Sequence, residues 1–198
     1  MDRETLSSAA NADNPAPMLI REARPEDAPA LITYFRRLFG ESGINLITEA
    51  DEFSPTVEAE SRFIREMARA SNSIFLVAEI DHHIIGQLTL EGGKRRNVKH
   101  AAVLGITVAQ EWRGQGIGHR LLAQAIGWAR AGGVISRIEL HVFVRNERAT
   151  RLYQEFGFVV EGRRREAVIR DGQYLDDWVM GLLLETARPP SRDITQVS

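Results

Sequence analysis

Hydrophobic and polar positions repeat along this chain in two rhythms, one near 3.6 residues that marks helices and one of two that marks strands. Ala28, Leu31, Ile32, Phe35 and Leu38 follow the first rhythm behind Pro25 and predict a helix to about residue 39. Val57, Ile64 and Met67 help define a second helix. Leu121, Ala125, Trp128 and Ala129 define a third over roughly 117–131. Ala149, Leu152, Tyr153 and Phe156 define a fourth, begun by Asn146 and ended by Gly157. The strand rhythm predicts segments at 18–23, 74–80, 84–90, 101–108, 135–144, about 158–170 and 174–184. Asp81-His82-His83 forms a short turn between the second and third, and Asp171-Gly172 marks a hairpin between the last two. The resulting order, β-α-α-β-β-β-α-β-α-β-β, is that of a mixed α+β fold on one mostly antiparallel sheet of about seven strands. Only the strand–helix–strand passage at 101–144 calls for a parallel crossover.

Composition narrows the picture. With 198 residues, 43% of them hydrophobic, the chain is long enough for one domain with a real core. A formal net charge of -2 provides no global basic field for nucleic acid or an anionic membrane, so neither partner is expected. The chain contains no cysteine, which removes disulfides, thiolate catalysis and cysteine-ligated zinc. His82-His83 and the acids near them lack ligand spacing, so no metal is expected. No apolar run approaches the roughly 20 residues of a spanning helix. Residues 1–16 and 187–198 are polar and proline-punctuated, and they are expected to be tails on a domain at 17–186. The first of them has no apolar stretch like that of a secretory leader, so the expected compartment is cytoplasmic.

One stretch stands apart. At 112–122 the chain reads W-R-G-Q-G-I-G-H-R-L-L, with three alternating glycines between a strand and a helix. The first free N–H groups of a helix, with the positive end of its dipole, make an anion site. Glycines let a large anion come close, and Arg113 and Arg120 add charge. The bland alternative is a tight strand-to-helix turn. A dinucleotide is one candidate ligand, with Glu139 at a suitable distance to take a ribose hydroxyl, but the spacing is G-x-G-x-G rather than G-x-G-x-x-G. No G-K-[S/T] follows, so this is not a P-loop.

The flanks point elsewhere. L-G-I-T-V-A-Q-E-W-R-G-Q-G-I-G-H-R-L-L, followed by V-R-N-E-R-A-T-R-L-Y-Q-E-F-G-F, resembles the GNAT superfamily of acyl-CoA-dependent N-acyltransferases. Arg113, Gly116 and Gly118 match its R/Q-x-x-G-x-G/A signature, and Asn146 and Tyr153 fall within its N-x-x-A-x-x-L-Y segment. The later E-G-R-R-R-E-A-V-I-R-D-G-Q-Y-L-D-D-W resembles a bacterial subgroup acting on amino acids and amine-bearing compounds.

The resemblance implies a GNAT fold with helices on both faces of the sheet and a splayed cleft for acetyl-CoA, the donor. Pantetheine would pair with the edge of the 101–108 strand at Ile106, Thr107 and Val108. The pyrophosphate would rest on Arg113, Gly114, Gln115, Gly116, Ile117, Gly118 and His119. Asn146 would cap its helix and contact the cofactor, and Gly105 would mark either a bulge that opens the gap or a packing site. Tyr153 would be the acid that protonates the departing CoA thiolate. Many relatives carry a glutamate as base on the strand before the glycines. Counting back from Arg113 gives Ala102 at that position, so His100, two residues earlier, is named as catalytic base, with Glu91 and Glu79 as alternatives acting through water.

Two further segments have a place in this scheme. The acids of residues 41–60, without a Lys or Arg before Arg62, would wall the acceptor side, and Arg163-Arg164-Arg165 is either an exposed strand face or a carboxylate site. The expected activity is acetyl transfer to a primary amine of a small molecule. The alternatives are a module that binds acyl-CoA without turnover and an acetyltransferase of protein N-termini or lysines. The resemblance also admits a homodimer through the C-terminal hairpin.

Overall fold

The structure is a computed structural model that describes residues 17–41, 45–170 and 172–185. The two expected tails and Asp171 of the last turn lie outside the described residues. The strands are β1 (Leu19–Glu22), β2 (Ile74–Ile80), β3 (His83–Gly92), β4 (Ala101–Val108), β5 (Arg137–Phe143), β6 (Val159–Arg170) and β7 (Gln173–Leu183). They form one sheet in the order β1-β2-β3-β4-β5-β7-β6. All neighbours are antiparallel except β4 and β5. The helices are α1 (Ala28–Phe39), α2 (Val57–Arg69), α3 (Ile117–Gly132) and α4 (Glu147–Glu155). As the resemblance implied, this is a mixed α/β arrangement on a mostly antiparallel sheet.

Boundaries move where local chemistry intervenes. The helix expected from Pro25 begins as a 3₁₀ turn, Pro25–Asp27, because the Asp27 carboxylate accepts from the Arg24 N–H at 2.7 Å and from Arg21 at 2.6 and 2.9 Å. Asp81 and His82 take φ of 47° and 62°, the left-handed pair of a two-residue hairpin turn, so His83 already belongs to β3.

The two faces of the sheet are covered unequally. One carries the main core: Leu76, Leu88, Leu104, Ile138, Leu140 and Met180 pack beneath Leu121, Leu122 and Ala125 of α3 and Tyr153 of α4. On the other face, α1 and α2 bury Leu31, Ile64 and Met67 against Phe75 and Val77 of β2. Tyr34 extends that cover to Thr107 of β4. Beyond it, Val103 is 50% exposed and Gly105 and His141 are exposed, so the second face of β4 and β5 opens outward there.

Register shifts fall in β2–β3 at Ala78/Glu79 and in β6–β7, while β3–β4 runs continuously through Thr89 and Gly105. A bulge at Gly105 is therefore not what opens the sheet, and a Cβ there would lie 3.1 Å from the Thr89 hydroxyl. The arginine run is used within the hairpin. Arg163 pairs with Asp176 at 2.6 Å and lies over the Trp178 ring, and Arg164 pairs with Asp177.

Because α3 sets the position of the glycine loop, its fully buried leucines determine how firmly that loop is held. Leu121→Ala is expected to lower unfolding free energy by about 2–5 kcal/mol, read as a reduced midpoint in urea denaturation with an unchanged slope.

Candidate active site

The site begins where two strands part. β4 and β5 pair through Ala101/Arg137, Ala102/Ile138 and Val103/Glu139, and the register ends there. Toward the glycine loop the strands diverge. Ala109 donates to the Ile85 carbonyl and Gly93 to the Ala101 carbonyl, so the odd-numbered residues of β4 bond to β3. The even-numbered residues then turn their N–H and C=O groups toward the gap. Ile106 offers both groups, and Val108 its N–H. The Val108 carbonyl is held by Arg113 Nε at 2.9 Å. Thr107 turns its backbone to β3, and its hydroxyl accepts from Tyr34 at 2.9 Å and Gln87 Nε2 at 3.2 Å. Of the three β4 residues named from the sequence, Ile106 and Val108 line the gap, while Thr107 braces the strand from behind.

The glycine loop ends in an α3 N-terminus without a side-chain cap. Arg120 N–H makes the first helical bond, to Gly116, at 3.0 Å. The amides of Ile117, Gly118 and His119 therefore have no carbonyl of the helix before them. Gly114 and Gly116 take φ of 90° and 76°, and a Cβ on Gly116 would meet nothing within 4 Å, so the space in front of this turn is open. A Cβ on Gly118 would lie in ordinary contact with Leu152 at 3.4 Å and Ile106 at 3.9 Å, so this position marks where α3 meets α4 and β4. The open, positive end of α3 is well suited to a diphosphate.

Arg113 departs from expectation. Its guanidinium turns back to Glu41 and the Val108 carbonyl, and its amide donates to the Gln110 carbonyl at 3.2 Å. Glu41 also accepts from the Gln110 N–H at 2.9 Å. The arginine thus fastens the loop to the end of α1, and the amide cradle starts one residue later than expected. Gln115 reaches back to the Glu111 carbonyl at 3.2 Å, and the His119 ring lies 4.7 Å from that of Phe156.

Asn146 caps α4, its side-chain oxygen accepting from the Ala149 N–H at 3.2 Å. Tyr153, two turns on, is 7% exposed within the main core, its ring 5.8 Å from that of Phe158. Burial pushes its phenol up to about 12, so it remains protonated throughout the neutral range and can donate. Transfer of that proton to a free thiolate, at about 8.5, would be uphill.

The candidates for a base are scattered. Ala102 is 1% exposed and faces the core under α3, so a glutamate counted to that position would point away from the open face. His100 lies in the turn before β4, at the end where β4 and β5 are still joined, and its carbonyl accepts from Ser136 and Arg137. Eight residues of strand, about 25 Å, separate it from Val108. Glu79 is bonded to Arg21 at 2.9 Å on β2. Glu91 lies opposite Val103 on the exposed part of β3.

No motif in the sequence points to His141, and the glycine spacing offers Glu139 only a ribose to bind. Both sit on β5 at and beyond the last β4–β5 pair, and the alternation in R-I-E-L-H-V-F already places them on its polar face. Among the wall acids, Glu41 is paired with Arg113, and Glu49 with Arg170 at 3.1 Å. Arg170 also donates to the Leu46 carbonyl at 2.8 Å, tying this wall to β6.

Among the described residues no cluster of His, Asp and Glu has metal-binding geometry, and no helix is long and apolar enough to cross a membrane. A cavity of about 290 Å³, lined in part by Glu22, Ile64, Phe75 and Trp128, includes no residue of the strand gap or the glycine loop.

Comparison with known proteins agrees with this geometry. The chain is 36% identical to the L-amino acid N-acetyltransferase AaaT of Escherichia coli over 109 residues, a stretch covering 53% of this chain and 65% of that relative's length. A solved acetyltransferase of the GNAT family from Streptococcus pneumoniae superposes with a TM-score of 0.82 at 32% identity, covering 85% of this chain and 100% of its own. A Salmonella typhimurium protein described as an acetyltransferase, solved with its cofactor acetyl-CoA, shares the fold with a TM-score of 0.76 at 19% identity, covering 89% of this chain and 100% of its own. The sequence model of the Acetyltransferase (GNAT) family matches residues 41–158. With the family pattern spanning more than half of its length and lying on the splayed strands and the glycine loop, the chain belongs to the GNAT acetyltransferase family.

Proposed function

We propose that this protein transfers the acetyl group of acetyl-CoA to the primary amine of a small molecule, and that a free L-amino acid is the acceptor class. The observation that carries the donor side is the unpaired β4 edge at Ile106 and Val108 leading directly to the bare N-terminus of α3. An extended amide-bearing arm can pair along that edge while its diphosphate rests on the amides of Ile117, Gly118 and His119.

Both reactants meet where the strands part. There the amine attacks the thioester carbonyl, backbone N–H groups polarise that carbonyl, and Tyr153 donates to the sulfur as the C–S bond breaks. Much of the acceleration comes from holding both reactants in one cleft. Donors fixed where charge develops supply a further part.

Two observations support an amino acid over a polyamine. The E. coli relative is named for L-amino acids. In addition, Glu41 and Glu49 of the acceptor-side wall are paired with Arg113 and Arg170, which weakens the field that would draw a polycation.

The direct test incubates the protein with acetyl-CoA and separate pools of L-amino acids, polyamines and N-terminal peptides, reading thiol release and the mass of one added acetyl group. Release with the amino acid pool is expected. Tight acetyl-CoA binding without acceptor-dependent thiol release would overturn the reading. Tyr153→Phe is expected to lower kcat by about 10²-fold or more while leaving the acetyl-CoA dissociation constant unchanged, measured by steady-state kinetics and calorimetry. Gly116→Ala places a methyl group at a φ of 76° in front of the anion cradle. It is expected to weaken acetyl-CoA binding at least about tenfold, equivalent to 1.4 kcal/mol, with a smaller effect on KM for the acceptor.

A further inference from the structure

The outward face of β5 carries a cluster that the donor side does not use. His141 is the second residue beyond the last β4–β5 pair, and its side chain is 29% exposed. Glu139 Oε1 lies 3.8 Å from its Nε2, and Asp177 Oδ2 lies 3.9 Å from its Nδ1. Asp177 itself is 1% exposed and is held by Arg164 from β6, through Nε at 2.8 Å and through Nη2. Arg137 joins Glu139 at 2.9 Å to Glu161, whose side chain crosses β7 directly over Gly181.

Across the gap, continued pairing of β4 and β5 would set Gly105 opposite His141. Gly105 has no side chain, so β4 places none toward the imidazole at that level. Tyr153 lies on the other side of the sheet, within the core. The parting point therefore has a donor on one face and an imidazole on the other.

We infer that His141 takes the proton from the acceptor amine, with Glu139 and Asp177 holding its charged form. The assignment rests on the acetyltransferase reading above. A primary amine arrives as an ammonium and cannot attack until a proton leaves. Of its three protons, one stays on the amide, one replaces the proton that Tyr153 gives to the sulfur, and one passes through His141 to solvent. The C–N bond forms as the C–S bond breaks, and nothing is oxidised or reduced.

The charges around His141 favour this role. On β5, β6 and β7, Arg137 and Arg164 face the three carboxylates Glu139, Glu161 and Asp177, leaving one negative charge that a protonated His141 balances. From β4, Val103 and Gly105 bring no charge, and Glu91 of β3 lies beyond Val103. Arg145, after β5, sits over the Phe143 ring and donates to Asn45. Imidazole is the side chain whose charge changes between about pH 5 and 8, so it can accept the proton near neutrality and release it again.

The test uses the full chain with acetyl-CoA and an equimolar mixture of L-amino acids, comparing wild type with His141→Gln and His141→Asn across pH. In wild type, kcat/KM should fall as pH drops through the neutral range. Both variants should lose at least about 10²-fold in kcat, lose that acidic limb, and bind acetyl-CoA as wild type does. Added imidazole should restore part of the turnover in His141→Gly. Variants that keep wild-type kcat and the same acidic limb would overturn the assignment while leaving the acetyltransferase reading intact. A wild type that binds acetyl-CoA yet acetylates nothing in the mixture would instead remove the reading on which the assignment rests.

Discussion

The hydrogen-bond ladder between β4 and β5 ends after Val103 and Glu139, and the rest of the site depends on that ending. Parallel neighbours ordinarily stay in register once a crossover helix has joined them. On the apolar face of the sheet the two parted strands still share one core. Leu104 of β4 and Leu140 of β5 both pack under α3, while Leu152 and Tyr153 of α4 join the same core. The cost is a length of β4 backbone without a partner on its β5 side. That unsatisfied edge is what an extended ligand rich in amides can complete.

The same core positions the N-terminus of α3. Gly118 lies within contact range of Leu152 of α4 and Ile106 of β4, and the free amides of the α3 N-terminus open at the mouth of the gap. Arg113, which the motif assigns to phosphate, works mainly as a fastener, and Arg170 does the same on the far side. Arg113 ties the loop to Glu41 at the end of α1, and Arg170 ties β6 to the loop before α2 through Glu49 and Leu46. The loops beside the gap are thus held by ion pairs that cancel charge, and the uncapped α3 N-terminus offers backbone dipoles.

Much of this is legible in the residues. The seven strands and four helices follow from periodicity, and Asn146 acts as the cap that its position between strand and helix suggests. What escapes the sequence is which way residues face across the gap. Counting along β4 reaches Ala102, but the alternation that hides Ala102 in the core exposes Val103. His141 escapes because its partners, Glu139 and Asp177, lie on two different strands, and no local motif joins them. Arg113 reads as a phosphate ligand because its partner, Glu41, is 72 positions away.

The central claim is that the gap between β4 and β5, closed at one end by the N-terminus of α3, is where acetyl-CoA lies. Amide hydrogen exchange with and without acetyl-CoA tests it most directly, since each backbone N–H reports its own protection. Exchange at Ile106 and Val108 and at residues 116–119 is expected to slow when acetyl-CoA is present. Protection confined to the cavity beside Ile64 and Trp128, or none along β4 and the glycine loop at saturating ligand, would contradict it.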